Sequence, residues 1–579
     1  MNILIPALLF AVSLSAADVV IVGAGVAGLT TALEAAKGGA RVTVVDLASV
    51  WGGHAVASEG GLSLIGTPLQ EKQGVRDSPE LAYQDFIRWG EDANVEWVKL
   101  YVNRSRPDIH DWLTGMGVQF SGIRLLPGNS AARFHDNSRR GFGIVEPIYR
   151  ECLKTGRVTF VWNTRVKELL RSGGRVNGIA GVNERTGKAF RLSGKAVVIA
   201  TGGFQSNLEL VRENWPTTMP RPEKILVGSG VNAFGSGLDL VRAAGGLTER
   251  LDHQWNYPRG VPDPRYPGRN RGIQLVNYGA IWVNQFGERF VNEQSSTAEM
   301  LREILAKQQG RAWLVFDAKG REALRASGTD WGDNAKVERE LLENPAVGHK
   351  AQTLDELART AGLPPERFIA AMARFNQSVA DGVDVDFNSF SKTNSPAARP
   401  GRPAISPVAI PPFYAIPMYP MTRKSMGGIA IDLECRVLNA KREPIPGLYA
   451  AGEATGFGGI NGKAGLEGTF IGPSILAGRR LGASLAKLAA PVPDPVTAVP
   501  APAGKGVSAP CQSCHPLDKL IATSRPGYWH FERSHRVVKQ KAWECHTCHA
   551  EMTPFRSGAH QIDRLRQISA CARCHLGSE

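Results

Sequence analysis

The chain has 579 residues, 43% of them hydrophobic and 21% charged, proportions that fit several globular domains and exclude a wholly disordered or fibrous chain. Its formal net charge is +14, but the 68 basic residues are interleaved with 54 acidic ones and never gather into a run. That scatter argues against a nucleic-acid partner and points instead to an acidic electron-transfer protein or an anionic small molecule.

The stretch from Ile3 to Leu14 is a short apolar run ending in Ser15-Ala16-Ala17, which suits signal-peptidase cleavage. Residues 1–17 are therefore expected to be a signal peptide. The run is too short to span a bilayer, so the product is expected to be soluble and periplasmic. Next comes a strand, Val19-Val20-Ile21-Val22, then Gly23-Ala-Gly25-Val-Ala-Gly28 and an alanine-rich helix. In such a fingerprint the first glycine permits the turn, the second lets a pyrophosphate approach the backbone, and the third lets helix pack on strand. A second strand, Arg41-Val-Thr-Val-Val-Asp46, ends where a ribose-binding acid belongs. Two further buried strands run into glycine turns, Val197-Val-Ile-Ala200-Thr201-Gly202-Gly203 and Gly447-Leu-Tyr-Ala-Ala-Gly452-Glu453-Ala-Thr-Gly456.

After Ala489 the composition turns to Pro, Ala and Val as far as Pro510, an extended and proline-stiffened linker. Three copies of Cys-x-x-Cys-His follow. The first is Cys511, Cys514 and His515; the second is Cys545, Cys548 and His549; the third is Cys571, Cys574 and His575. The two thiols of each are spaced to add across the vinyl groups of one c-type haem, and the adjacent His reaches its iron. Zinc ribbons also use Cys-x-x-Cys pairs, but a tetrahedral zinc site does not require a His after every second Cys. His530, His535 and His560 are the distal-ligand candidates; His546 ranks lower because it lies inside an attachment motif. Six-coordinate irons pass electrons and leave no open position for oxygen. A segment this small takes most of its order from covalent haem, and such attachment occurs outside the cytoplasm. Cys152 and Cys435 remain, either as small buried hydrophobes or as a disulfide.

The glycine fingerprint together with Trp51-Gly-Gly53-His54, Ser58-Glu-Gly60-Gly61, Gly287-Glu-Arg-Phe-Val-Asn-Glu293, Ser425-Met-Gly-Gly428 and Gly468-Thr469-Phe-Ile471-Gly472 resembles, in order, the FAD-binding domain of the fumarate reductase and 3-ketosteroid dehydrogenase flavoprotein superfamily. The resemblance covers almost all of residues 18–488. It implies an α/β, Rossmann-like FAD domain in two parts, 18–204 and 411–488, interrupted by an α+β substrate cap, 205–410. The linker, 489–510, then leads to a small, mostly irregular or α-helical triheme cytochrome domain, 511–579, and the whole resembles a flavocytochrome c. FAD contacts are implied at Gly23, Gly25, Gly28, Asp46, Gly53, His54, Ser58, Gly60, Gly61, Ala200, Thr201, Gly202, Gly452, Glu453, Thr469 and Ile471. Of these, Gly452 and Glu453 belong near the ribityl chain, and the helix from Ile471 near the pyrimidine ring. The run from His54 to Gly61 also resembles the segment of respiratory succinate dehydrogenase and fumarate reductase flavoproteins whose His is bonded covalently to FAD. The other reading of His54 is a side chain that packs beside a dissociable flavin.

The superfamily moves a hydride between flavin N5 and a carbon of a C=C or CH–CH unit beside an electron-withdrawing group, while a side chain handles the proton. Fumarate reductases place a proton-donating Arg four residues after Phe-Val-Asn-Glu; here that place is Thr297. Their substrate-binding His is Lys424, and the Arg of their last flavin segment falls near Gly465, with Lys463 close by. Fumarate is therefore not the expected substrate. Trp255 to Gly260, Asn277 to Ala280 and Leu466 to Phe470 look more like uncharacterised dehydrogenases related to 3-ketosteroid dehydrogenase, which use tyrosines as proton donor and acceptor. Tyr278 and Tyr257 are the resulting candidates, with His253 and Lys424 behind them, although each alone also fits an ordinary core or surface role. Arg423 with Lys424 offers an alternative, holding a carboxylate or enolate oxygen against developing charge. The expectation is an exported enzyme acting on an unsaturated acid or ketone, exchanging electrons with a membrane quinol-oxidising or soluble cytochrome. The competing reading is a multihaem flavoprotein electron carrier without catalysis.

Overall fold

The computed structural model describes residues 12–13, 17–277, 279–327, 331, 333–390, 405–489, 516–522, 536 and 539. Several residues singled out in the sequence lie outside the described residues. They are Tyr278; the haem-attachment cysteines Cys511, Cys514, Cys545, Cys548, Cys571 and Cys574; the proximal histidines His515, His549 and His575; and His530, His535, His546 and His560. Most of the signal segment and residues 490–510 of the linker also lie outside them. The chain divides into two compact units. One comprises the described residues up to Phe204, Gly230–His253 and those from Ser425 onward; the other comprises Gln205–Ser229 and Gln254–Lys424.

The first unit is built on a sheet of β1 (Ala17–Val22), β2 (Val42–Val45), β3 (Val158–Val161), β4 (Thr164–Ser172), β5 (Arg175–Asn183), β6 (Ala189–Ile199), β7 (Arg436–Leu438) and β8 (Pro444–Ala450), in the spatial order β7-β8-β6-β1-β2-β3. From β8 to β3 the pairings are parallel. A parallel sheet is covered on both faces, and this explains why β1 and β2, apolar apart from Asp18 and Thr43, are buried throughout. The hairpin of β4 and β5 is added antiparallel to the outer half of β6, and Val12–Ser13 run parallel to Phe190–Arg191. Register aligns Val22 with Val45 and Ile199, and Ile199 with Ala450. The turns that follow β1, β2, β6 and β8 therefore gather at one end, the carboxyl edge where ligands bind in such sheets.

Two helices cover this edge region, α1 (Val26–Lys37) and α2 (Ile471–Leu485). Both are alanine- and glycine-rich on the facing side: a Cβ at Gly478 would lie 2.8 Å from the Ala27 carbonyl oxygen, and one at Gly482 2.6 Å from that of Thr31. A separate small sheet joins Leu62–Ser63, Phe134–Asp136 and Gly122–Arg124. Beside it Arg133, fully buried, is bound to Asp77 at 2.7 Å and to Asp85 at 2.5 Å, both equally buried. Cys152 and Cys435 are buried free thiols, not a disulfide, and burial raises the pKa of each.

The second unit carries the strands Ile281–Val283, Ala312–Phe316, Phe413–Ser425, Gln254–Pro262, Gly272–Val276 and Arg325–Ala326 in that order. Its core is formed by Phe368, Met372, Phe375 and Phe413 with Leu357 and Val315, where the helices Leu354–Ala361 and Pro365–Asp381 pack on the sheet. This α+β unit differs in outline from the unbroken 205–410 cap suggested by the sequence. Residues 230–253 return to the first unit because Thr248–Glu249 pair antiparallel with Gly428–Ile429 and the Leu247 amide donates to the Leu438 carbonyl. At its far end the second unit continues to Lys424, along the same strand that begins at Phe413.

Candidate active site

Gly23 sits at φ +114°, and a Cβ there would lie 2.2 Å from the Ala200 carbonyl oxygen; at Gly28 it would lie 1.9 Å from the carbonyl oxygen of Gly23. Only glycine fits either place. At Gly25, by contrast, a Cβ would meet nothing within 4 Å. That open space lies at the start of α1, whose first turn has neither a side-chain cap nor an acidic residue. The helix thus leaves its first N–H groups and the positive end of its dipole for an external anion. Thr67, Ser78 and Asn94 cap three other helices of this unit with their side chains. Asp46, just past β2, accepts from the amides of Ala24 and Ala48, both at 2.6 Å, fixing its carboxylate beside the glycine turn.

The segment Trp51 to His54 lies along the fingerprint: Gly52 donates to the Ala24 carbonyl at 2.8 Å, and a Cβ on Gly53 would stand 3.2 Å from the Gly25 Cα. His54 leads into the short helix Ala55–Ala57, and Gly230 approaches it so closely that a Cβ there would come within 2.9 Å of the His54 Cβ. Ser58 spends its hydroxyl within its own loop, donating to Ala55 and accepting from the Gly60 amide. Gly60 and Gly61 pack against Arg140 and the Phe134 ring, so these three residues shape the loop.

At the end of β6 the Thr201 hydroxyl is buried and has no partner, and Gly202 at φ +79° faces open space. Gly203 has no room for a side chain: a Cβ would meet the Ser425 Oγ at 2.3 Å and the Glu453 Oε1 at 2.6 Å. Ser425 accepts from the Phe204 amide at 3.0 Å and donates its own amide to Glu453 at 3.1 Å. Three motifs distant in sequence thereby close on one another. Gly452, at φ +77°, brings the turn after β8 to within contact of Ala27 in α1. Thr469 is fully buried, bonding the side chain of Asn461 and the Leu466 carbonyl, so its side chain braces the loop ahead of α2. Ile471 opens α2, which, like α1, starts without a side-chain cap or an acid in its first turn.

An orphaned hydroxyl, open glycines and two uncapped helix starts on one sheet edge fit a dinucleotide cofactor. The sequence profile of the FAD binding domain family matches residues 18–471. The chain belongs to that family. It is a FAD-dependent oxidoreductase. A fumarate reductase (cytochrome) from Shewanella frigidimarina is 31% identical over 476 residues, covering 81% of this chain and 77% of the relative. A KsdD-like steroid dehydrogenase of Mycobacterium tuberculosis (strain CDC 1551 / Oshkosh) is 30% identical over 559 residues, covering 81% and 96%. Among solved structures, the open conformation of a flavocytochrome c3 fumarate reductase aligns with a TM-score of 0.65 at 27% identity, covering 82% of this chain and 79% of that one.

The candidate catalytic residues divide between the units. In the first, His253 is buried, its Nδ1 has no partner, and its Nε2 lies 3.5 Å from Asp92. Burial lowers its pKa, against the pull of the neighbouring acids Asp252 and Asp92, so the ring is neutral. Its carbonyl accepts the Met426 amide at 2.8 Å, anchoring the Met-Gly-Gly segment. In the second unit the Arg423 guanidinium stands over the Tyr257 ring at 5.3 Å, with Lys424 half-buried next in the chain. Thr297 is the first residue of the helix Thr297–Gln308, under a capping box of Ser296 and Glu299, so the place of the missing Arg is a helix start. At Gly465 a Cβ would already be 3.2 Å from Asn461, Met426 and Phe470, which excludes a long side chain without rearrangement. Sequence reasoning missed Ser425 as a link between motifs and missed Arg271 altogether. The only local signal for Arg271 was its neighbour Arg269, two residues before it.

Proposed function

We propose that this chain is an exported flavocytochrome c oxidoreductase acting on a C=C or CH–CH bond beside a carbonyl or carboxylate. The observation that carries it is the presence in one chain of a complete flavin cradle and three Cys-x-x-Cys-His motifs. Relatives named as a cytochrome-type fumarate reductase and a steroid dehydrogenase support a reaction at carbon–carbon bonds.

Bound FAD supplies hydride transfer. The amides at the start of α1 hold the pyrophosphate, and Gly25 leaves it room. Asp46 takes the ribose hydroxyls, and Glu453 with Ser425 supports the segment beside the ribityl chain. The start of α2 offers positive dipole to the electron-rich pyrimidine ring. Arg423 and Lys424 hold the substrate oxygen on which charge develops, and Tyr257 or Tyr278 moves the proton, with neutral His253 as the further proton carrier. Three haems would be attached through Cys511 and Cys514, Cys545 and Cys548, and Cys571 and Cys574, with His515, His549 and His575 and then His530, His535 and His560 as the residues that would hold their irons. They supply single-electron exchange with a quinol-oxidising or soluble cytochrome.

The test is anaerobic. Purified holoprotein should contain three haems and one FAD per chain by pyridine haemochrome and flavin fluorescence after unfolding. Dithionite-reduced protein is then mixed with unsaturated acids and enones one at a time while haem absorption is followed. Reoxidation by one of them is the expected result. Haem without flavin would sink the proposal, and indifference to every acid, enone and saturated ketone would favour the non-catalytic electron carrier. Acid precipitation distinguishes the two readings of His54, since a covalent flavin stays with the pellet.

A further inference from the structure

Within the second unit, two guanidinium groups are anchored to consecutive carbonyls of one strand end, near enough for each to feel the other's charge. Arg423 donates from Nη1 to the Gly228 carbonyl at 2.8 Å, and Arg271 donates from Nη1 to the next carbonyl, Ser229, at 2.7 Å. The arrangement follows from the sheet: Leu226–Val227 run parallel to Met421–Thr422 on one side and Val227 bridges to Arg271 on the other. Among the described residues neither arginine has a carboxylate within 4 Å. Asp263, the acid whose charge reaches Arg271, is gripped by Arg265 at 2.6 Å.

Three features set this pair apart from surface arginines. The Arg423 Nε is buried and has no acceptor, a costly condition unless something satisfies it. The Tyr257 ring under Arg423 and the two carbonyl bonds fix both groups in orientation, so a ligand would find them already ordered. And the charges oppose each other: burial lowers the Arg271 pKa, and the neighbouring Arg423 charge lowers it further against the pull of Asp263. Anchoring two carbonyls needs only neutral donors, so two cations here are explained by an anion that arrives from outside. A guanidinium presents paired N–H groups in a plane, the geometry that a carboxylate matches.

We propose that Arg271 and Arg423 form the specificity anchor for a substrate carboxylate, so that the preferred substrate is an α,β-unsaturated acid and not a neutral enone. This rests on the oxidoreductase reading above and assigns its substrate class.

The test uses oxidised holoprotein and calorimetric titration with crotonate, cinnamate and the methyl ester of each. At least one acid should bind ten times more tightly than its ester. R271Q should weaken that acid tenfold or more and leave the ester unchanged, erasing the preference; R423Q should weaken the acid at least tenfold more than the ester, and R423K should recover part of that difference. A role confined to pinning Gly228 and Ser229 would affect acid and ester alike, and that outcome overturns the anchor. So does a wild-type protein with no preference for either acid, or one from which equimolar inorganic phosphate displaces the acid completely. Reoxidation of the reduced protein is followed in parallel. Acid binding without any reoxidation keeps the anchor and sinks the CH–CH chemistry; reoxidation by neutral enones alone keeps the chemistry and sinks the anchor.

Discussion

The Ser425 amide donates to the Glu453 carboxylate at 3.1 Å across 28 residues of sequence, and the pair closes over Gly203 so tightly that no side chain fits between them. A carboxylate that accepts a backbone amide is therefore part of the frame that ties the turns after β6 and β8 together. Glu453→Ala should lower FAD affinity at least tenfold with far-UV circular dichroism unchanged, and Glu453→Gln, which keeps an acceptor oxygen, should retain most of it. Equilibrium dialysis against FAD decides this. Wild-type affinity in the Ala variant would remove Glu453 from the frame.

Gly25 and Gly28 stand three residues apart and should fail in opposite ways. Gly25→Ala adds a methyl to open space at a backbone angle any residue adopts, so the melting temperature should hold while flavin content drops. Gly28→Ala drives a methyl into the Gly23 carbonyl and should destabilise the apoprotein by roughly 1–3 kcal/mol. Thermal melts of flavin-stripped protein beside flavin content of the holoprotein separate the two.

Arg133 neutralises two buried carboxylates. Burial alone would raise the Asp85 pKa, but hydrogen bonds from Ser130 and Arg133 outweigh it and hold the group below its ordinary value. Removing the cation strands both acids, so Arg133→Met should cost about 3–5 kcal/mol at neutral pH. Because a stranded Asp85 carboxylate favours its protonated form, the variant should regain stability relative to wild type as pH falls toward 4. Urea denaturation at two pH values checks both points.

His135 is fully buried, its ring held between the Thr67 hydroxyl and the Arg133 carbonyl, each at 2.7 Å. The carbonyl accepts, so Nδ1 carries the proton and Nε2 accepts from Thr67. Burial pushes its pKa down to about 4. The unfolded chain then binds a proton that the native state refuses, so this residue's contribution is whole above pH 6.5 and falls away between pH 6.5 and 4. Titrating stability across that window in wild type and His135→Gln should give a steeper acid loss in wild type, by on the order of 2–3 kcal/mol.

Much of the flavin cradle was readable in the sequence because its requirements are local. Gly23, Gly28 and Asp46 answer to the geometry of one strand, one turn and one helix, and the structure puts them where that geometry needs them. Ser425 with Glu453, and Arg271 and Arg423 with the carbonyls between them, answer instead to strand register: these arrangements form only after separate strands have been laid side by side, which no spacing encodes. The return of residues 230–253 to the first unit escaped notice for the same reason, being fixed by a two-residue pairing with Gly428–Ile429. Thr469 shows the reverse limit, where a motif residue expected at the cofactor uses its side chain on its own loop.

The sheet order has a consequence for how the molecule comes into being. A ribosome delivers β1, α1, β2 and β6 early, but β8, which seals the open edge of β6, follows only after the entire second unit. Until then the nascent sheet displays unpaired amides and carbonyls, the kind of edge that recruits other chains. Gly452, Glu453 and α2 arrive later still, so half of the flavin cradle waits for the other half. Maturation is therefore a late, all-at-once event with long loops to close. Chains cut short before Pro444 would retain the glycine fingerprint intact and yet emerge as sticky fragments unable to take up flavin.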